Sequence, residues 1–336
     1  MRTILTLLFL FVLQNTAVSQ DEQSDPKAFV GLWETKYGHL RIFSHQDKLY
    51  GRYLFSGFEG IISGQIQGDK FEFEFKEPNS RGTGWFKLSR SGAAIRGKYL
   101  TAGTEQAKPW KGKRVDSEPG KIWLVVFEAN WEESLGEPQY AFADMLESYF
   151  KMSIARHVQF RKRIFHDGED LMRLCRELKY LPGPVYLLIS THGNNNGITV
   201  NGETIHSKFL ADSIRGTSNL RLLHLSGCSM MSSQFPEELN DYIKDEMQLP
   251  ISGYKTAVRW DSSAIADFTY MSLVCIHRMR PELAVRKAIK LSPYIGEKKN
   301  LSPQNTHRGY DGLGLSILVP KKMKIQTELI EKSDSN

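Results

Sequence analysis

Chemistry in this sequence gathers at two places, each just past an apolar run. Val185-Tyr186-Leu187-Leu188-Ile189-Ser190 leads into Thr191-His192-Gly193, and Leu220 to Leu225 leads into Ser226-Gly227-Cys228. A thiol becomes a working nucleophile when a base stands near enough to take its proton, because the thiolate is the attacking species. If the two runs are neighbouring parallel strands, His192 and Cys228 reach one rim, the rim at which such sheets bind ligands. Gly193 lets the backbone approach a substrate carbonyl closely, and its N–H and that of Cys228 are the natural donors to a developing oxyanion. Taken singly, a His after a strand is an ordinary loop residue and a Cys after a strand an ordinary core residue. The pairing, with a glycine beside each, is what points to a catalytic dyad.

The elements that must position this pair read as an α/β domain over residues 120–320. Lys121 to Phe127 is continuously apolar, the mark of a strand buried on both faces. Helical spacing follows over Pro138 to Met152, a strand over Val158 to Phe165 and a helix over Asp167 to Leu178. After the His-bearing strand and the polar loop Asn194-Asn195-Asn196-Gly197 come a helix over Ser207 to Ile214 and the Cys-bearing strand. A helix over Pro236 to Met247, the short strand Pro250 to Tyr254 and a last strand near Leu313 to Leu318 complete the pattern. Strands alternating with helices imply right-handed crossovers and a mostly parallel sheet sandwiched by helices.

Residues 28–115 have a different texture and read as a separate antiparallel β domain, a meander or small barrel of about eight strands. Phe71-Glu72-Phe73-Glu74-Phe75 alternates strictly, so three rings face one side and the carboxylates the other. Turn signals recur at Gln46-Asp47-Lys48, Ser56-Gly57, Gln67-Gly68-Asp69, Asn79 to Gly82 and Ser91-Gly92. Leu49-Tyr50-Gly51-Arg52-Tyr53 echoes Ile95-Arg96-Gly97-Lys98-Tyr99, and Trp33, Trp85 and Trp110 fill or rim the sheet. No clustered carboxylates, metal-ligand spacing or cysteine occur here, so catalysis is not expected of this domain. A protein or glycan ligand for it stays open.

The block Tyr186 to Gly193, followed by Leu222 to Cys228, resembles the caspase-like cysteine peptidases of clan CD, nearest to the CHAT group. The resemblance runs over about residues 120–320, taking in Ile251-Ser252-Gly253-Tyr254 as the next strand and Trp260-Asp261-Ser262-Ser263-Ala264 as the start of the next helix. It implies a caspase-like fold, Cys228 as nucleophile, His192 as general base, the Gly193 N–H as oxyanion donor, and peptide-bond hydrolysis through a thioester. Asp212, Asp261 and Asp267 are candidates for holding a basic substrate side chain, against the plainer reading of each as a helix cap or surface carboxylate.

Two other readings compete. A caspase-like scaffold without activity would serve as a binding module. A cysteine amidase would take its base from later in the chain, at His277 or His307. Zinc binding finds no C-x-x-C or H-x-x-x-H spacing, and neither metal nor organic cofactor is implied.

Composition narrows the setting. The 336 residues carry 44 Lys and Arg against 38 Asp and Glu, a net charge of +6 spread along the chain, which argues against nucleic acid as a partner. MRTILTLLFLFVLQNTAVS, residues 1–19, has the basic start, short apolar stretch and small-residue end of a secretory leader, about half the length a membrane span needs. The mature chain is therefore expected to be secreted or periplasmic, to stay off the membrane once the leader is removed, and to act on a protein or peptide substrate. Residues 321–336 read as a polar tail. Of three cysteines, Cys175 and Cys275 fall in helix-like runs as buried apolar residues, with a mutual disulfide left open.

Overall fold

The computed structural model describes residues 25–45, 48–55, 58–115, 119–130, 142–152, 156–194, 196–298 and 312–320. The leader, the tail and His307 lie outside the described residues.

Alternation of aromatic and polar residues closes the N-terminal strands into an eight-stranded antiparallel barrel. Its strands are β1 (Gly31–Thr35), β2 (Gly38–His45), β3 (Lys48–Phe55), β4 (Phe58–Gln67), β5 (Lys70–Glu77), β6 (Ser80–Leu88), β7 (Ala94–Thr101) and β8 (Lys108–Arg114). β1 pairs with β8, so no edge is left open. Phe71, Phe73 and Phe75 point inward with Trp33, Phe86 and Trp110, whereas Trp85 faces outward under Lys70. The echoed glycines have a physical reason. A Cβ on Gly97 would lie 1.7 Å from the Trp85 carbonyl oxygen, and one on Gly51 would lie 2.6 Å from Ile62 Cγ1. Tight coiling of the barrel leaves no room for a side chain at either place.

Six of the nine remaining strands among the described residues form a mixed sheet ordered β10-β9-β11-β15-β16-β17. β9 (Ile122–Ala129), β10 (Val158–Phe165), β11 (Val185–Ser190), β15 (Leu220–Ser226) and β16 (Ile251–Tyr254) run parallel, and β17 (Leu315–Leu318) closes the edge antiparallel to β16. α2 (Gly168–Glu177), α3 (Ser207–Ile214) and α4 (Phe235–Ile243) cover one face. α1 (Phe142–Met152), α5 (Trp260–Met271) and α6 (Pro281–Leu291) cover the other. The Glu128 carboxylate at the end of β9 accepts the Phe142 and Ala143 N–H groups at 3.1 and 3.0 Å, seating an anion on the first turn of α1. None of the helices among the described residues is long and apolar enough to cross a membrane.

One expectation needs correction, and one open question is answered. Asn194 to Gly197 is more than a loop: β12 (His192–Asn194), β13 (Gly197–Val200) and β14 (Glu203–Ile205) make a small antiparallel sheet on the His-bearing rim. Asn194 Oδ1 accepts from the Asn196 and Gly197 N–H groups at 2.7 and 3.2 Å and so closes the turn. Cys175 and Cys275 are both free thiols in the cores on opposite faces of the sheet, so no disulfide joins them.

Burial pushes the Cys175 thiol up to about 12, with Arg176 and Lys179 opposing weakly, and burial also raises Cys275. A folded pKa above the unfolded value gives stability that is full below pH 9 and is lost as pH rises toward the folded pKa. Each buried thiol should therefore cost about 1.4 kcal/mol per pH unit above the ordinary thiol value. Denaturant midpoints measured between about pH 8 and 11 check this, and a flat profile above pH 9 would contradict the buried-thiol assignment.

The barrel docks on the α/β domain through buried charge. Arg41, 8% exposed, donates to the Lys179 and Leu181 carbonyls at 2.7 and 2.9 Å. Lys179, fully buried, donates to Glu59 at 2.5 Å, and Glu59 also accepts from Arg52 at 2.9 Å. Asn219 Nδ2 ties the Leu178, Leu181 and Gly183 carbonyls together from the loop before β15. These groups stand where β11 and β15 begin, so the barrel is fixed at the edge of the sheet opposite to the strand ends that carry His192 and Cys228.

Candidate active site

β11 and β15 are central because their residues are apolar on both faces, and they pair in parallel register up to Ser190 opposite Ser226. Thr191 N–H then donates to the Ser226 carbonyl at 3.1 Å. His192 and Cys228 each stand two residues beyond that last registered pair, which sets them at equivalent heights on adjacent strand ends. The two turns are pressed together. A Cβ on Gly193 would lie 2.8 Å from the Cys228 carbonyl oxygen and 2.7 Å from Met230 Sδ, and one on Gly227 would lie 2.9 Å from the Thr191 carbonyl oxygen. Glycine at both positions is what allows this approach.

His192 is exposed and opens β12, opposite Thr199. Cys228 is half-buried. The chain lifts off β15 through Ser229, whose φ of 56° is left-handed and whose N–H donates to the Thr256 carbonyl at 2.9 Å. Val258 then holds the sulfur: its N–H donates to Sγ at 3.4 Å, and the thiol reaches its carbonyl at 3.6 Å. The nucleophile is thus oriented by main chain from the segment that leads into α5.

No family model matches the sequence, and no curated protein matches it either. Among solved structures, the chain is similar to caspase-1 from Spodoptera frugiperda, with a TM-score of 0.40, 8% identity, and 59% of this chain and 86% of that one covered. For the pro-form of sf-caspase-1 the values are 0.37, 6%, 60% and 92%. A Bacillus subtilis protein follows at 0.24 and 14%, over 76% of this chain and 70% of its own.

Of the three aspartates considered for a basic side chain, one shares the rim. Asp261 lies three residues past Val258 in the first turn of α5, pairs with Arg259 at 3.4 Å and accepts the Ser262 N–H at 2.8 Å. Asp212 does not share it. It sits in the last turn of α3 and pairs with Arg215, which also meets Glu246, at the end of the helix that leads back to the start of β15. Asp267 is fully buried and committed elsewhere, so the reading of it as a surface or substrate-binding carboxylate is corrected. Its Oδ1 accepts from His224 Nε2 at 2.7 Å and from the Tyr254 hydroxyl at 2.5 Å, and its Oδ2 accepts from the Ser226 hydroxyl at 2.5 Å. His224 Nδ1 in turn meets Ser252 Oγ at 2.9 Å.

Sequence reasoning did not single out this buried cluster. The signal was present in β15, where His224 interrupts an otherwise apolar buried run, since a buried imidazole requires polar partners on both nitrogens. The amidase alternative loses one of its bases. His277 follows α5 and its short extension, roughly 25 Å along the helix axis from the α5 start beside Cys228.

Proposed function

We propose that the chain is an exported cysteine endopeptidase built on a caspase-like α/β domain, acting on a protein or peptide substrate without metal or organic cofactor. The observation that carries this reading is the equal height of His192 and Cys228 past the paired ends Ser190 and Ser226, with the Cys228 sulfur held by Val258. In the reaction, the Cys228 sulfur attacks the scissile carbonyl carbon as its proton passes to His192. The tetrahedral oxyanion is met by the N–H groups of Gly193 and Cys228. His192 returns the proton to the leaving amine, the C–N bond breaks, and a thioester remains on Cys228. Water then adds to the thioester with His192 as base, releasing the acid and regenerating the thiol. Asp261 is the residue of this rim available to a basic substrate side chain.

A positional peptide library on the mature protein tests the reading. The expected result is cleavage after a restricted set of residues, lost when the thiol is alkylated. An alkylatable Cys228 with no cleavage of any peptide would instead make the domain a scaffold, with the barrel as its binding module.

A further inference from the structure

We propose that Asp267 is the positioning residue of the Cys228 thiol, acting through a buried hydrogen-bonded cluster that ties the Cys228 strand and the segments holding it to one carboxylate. This role deepens the peptidase reading above and rests on it for its functional meaning. Ser226, which donates to Oδ2, stands two residues before Cys228. Tyr254, which donates to Oδ1, stands two residues before Thr256, whose carbonyl accepts the Ser229 N–H. Asp267 itself is on α5, and that helix begins just after Val258, the residue that holds the sulfur. Cys228 is therefore gripped from three sides, from its own strand, from the loop after β16 and from the loop before α5. All three grips converge on Asp267.

The cluster is dry. His224, Ser252, Tyr254 and Asp267 are fully buried and packed among Leu222, Ala264, Ala266, Tyr270 and Met271. Bulk solvent does not compete for these hydrogen bonds, and the low local dielectric strengthens each. A carboxylate is the one side chain that can accept from three donors at once, which is the number presented here. An apolar core of the same volume would give equal or greater stability at lower cost. What the polar cluster adds is a fixed register between β15, β16 and α5, the three elements whose ends carry the site.

The test uses the full mature chain and reads the thiol directly, by mass spectrometry of the Cys228 peptide after iodoacetamide treatment from about pH 5 to about pH 9. Ser226→Ala and Asp267→Asn are compared with Leu222→Ala, which loosens the same core without removing any hydrogen bond of the cluster. Expected is alkylation of Cys228 slowed by about five- to tenfold with a displaced pH midpoint in the two cluster variants, well below their melting temperatures. Leu222→Ala should lower the melting temperature and leave the alkylation profile as in the parent. If both cluster variants also lose only thermal stability, with rate and midpoint within about twofold of the parent, the positioning role is overturned. Should Asp267→Asn fail to fold, Ser226→Ala decides alone, because it leaves Asp267 bonded to His224 and Tyr254. The readout needs no peptide turnover, so a parent protein that cleaves nothing would defeat the peptidase reading while the alkylation series still settles the role of Asp267.

Discussion

Cys228→Ala is expected to abolish hydrolysis of any peptide the parent cleaves, by at least about 10³-fold in kcat, with the melting temperature unchanged. No other thiol can substitute. Cys175 and Cys275 are buried in the cores on the two faces of the sheet, with pKa values raised by burial, and neither can reach solvent or substrate. Cys228 is half-buried at the surface, so trimming it to a methyl leaves no core cavity. His192→Ala should lower kcat by about 10²- to 10⁴-fold, the usual contribution of a positioned acid–base group. The double variant should be no slower than Cys228→Ala, since the two groups act as a unit and their losses do not add. Kinetics on a library-selected peptide, with calorimetry alongside, make the comparison. Turnover surviving in Cys228→Ala would place the nucleophile elsewhere and end the dyad reading.

The second large effect lies far from the site. Glu59→Gln should destabilise the docked pair of domains by about 3 kcal/mol, because it leaves a buried ammonium without its counter-charge. Lys179 is fully buried, and burial already pulls its pKa down against the attraction of Glu59. Burial pushes the Glu59 carboxyl up, yet Lys179 and Arg52 together outweigh it and hold the group below its ordinary value. An amide at position 59 leaves both cations facing each other. The expected readout is one denaturant transition separating into two, with hydrogen exchange locating the first opening at Leu178 to Leu181 and at the barrel strands facing them. Glu59→Gln with Lys179→Met should recover most of the loss, since a neutral pair needs no compensation. Acid should mimic the single variant. Glu59 has a depressed folded pKa, so its contribution is full above the unfolded value of about 4.5 and fades as pH falls through the folded one. A Glu59→Gln protein within about 0.5 kcal/mol of the parent would mean that the interface is held by something other than this pair.

Docking at the strand-start edge also bears on what the barrel does. Its charged contacts fall at Lys179 and Leu181, at the start of the strands whose far ends carry His192 and Cys228. Its own outward face holds an open groove of about 690 Å³ around Tyr50, Gln65, Glu72, Trp85 and Lys98.

Much of this architecture was legible in the chain itself. Continuous apolar runs mark β9, β11 and β15 as central strands, because only a strand covered on both faces can afford no polar side. Strict alternation in Phe71 to Phe75 marks a barrel wall, and the order of strands and helices implies the parallel sheet. The heights of His192 and Cys228 also follow locally, each being set by where its own strand stops. Tertiary structure alone decided the rest. The three-residue strands β12 to β14 are too short to show a period, and it is the Asn194 turn that closes them. Asp267 looks like any helix carboxylate until the sheet brings His224, Ser226 and Tyr254 to it from two other elements. Nothing in the chain around Arg41, Glu59 or Lys179 marks them as buried, because the partners that bury them lie far apart in the chain. Local sequence sets which residues stand at a strand end or on a helix face; which distant groups meet there depends on how the layers pack, and for the charges that hold this protein together, packing made the difference.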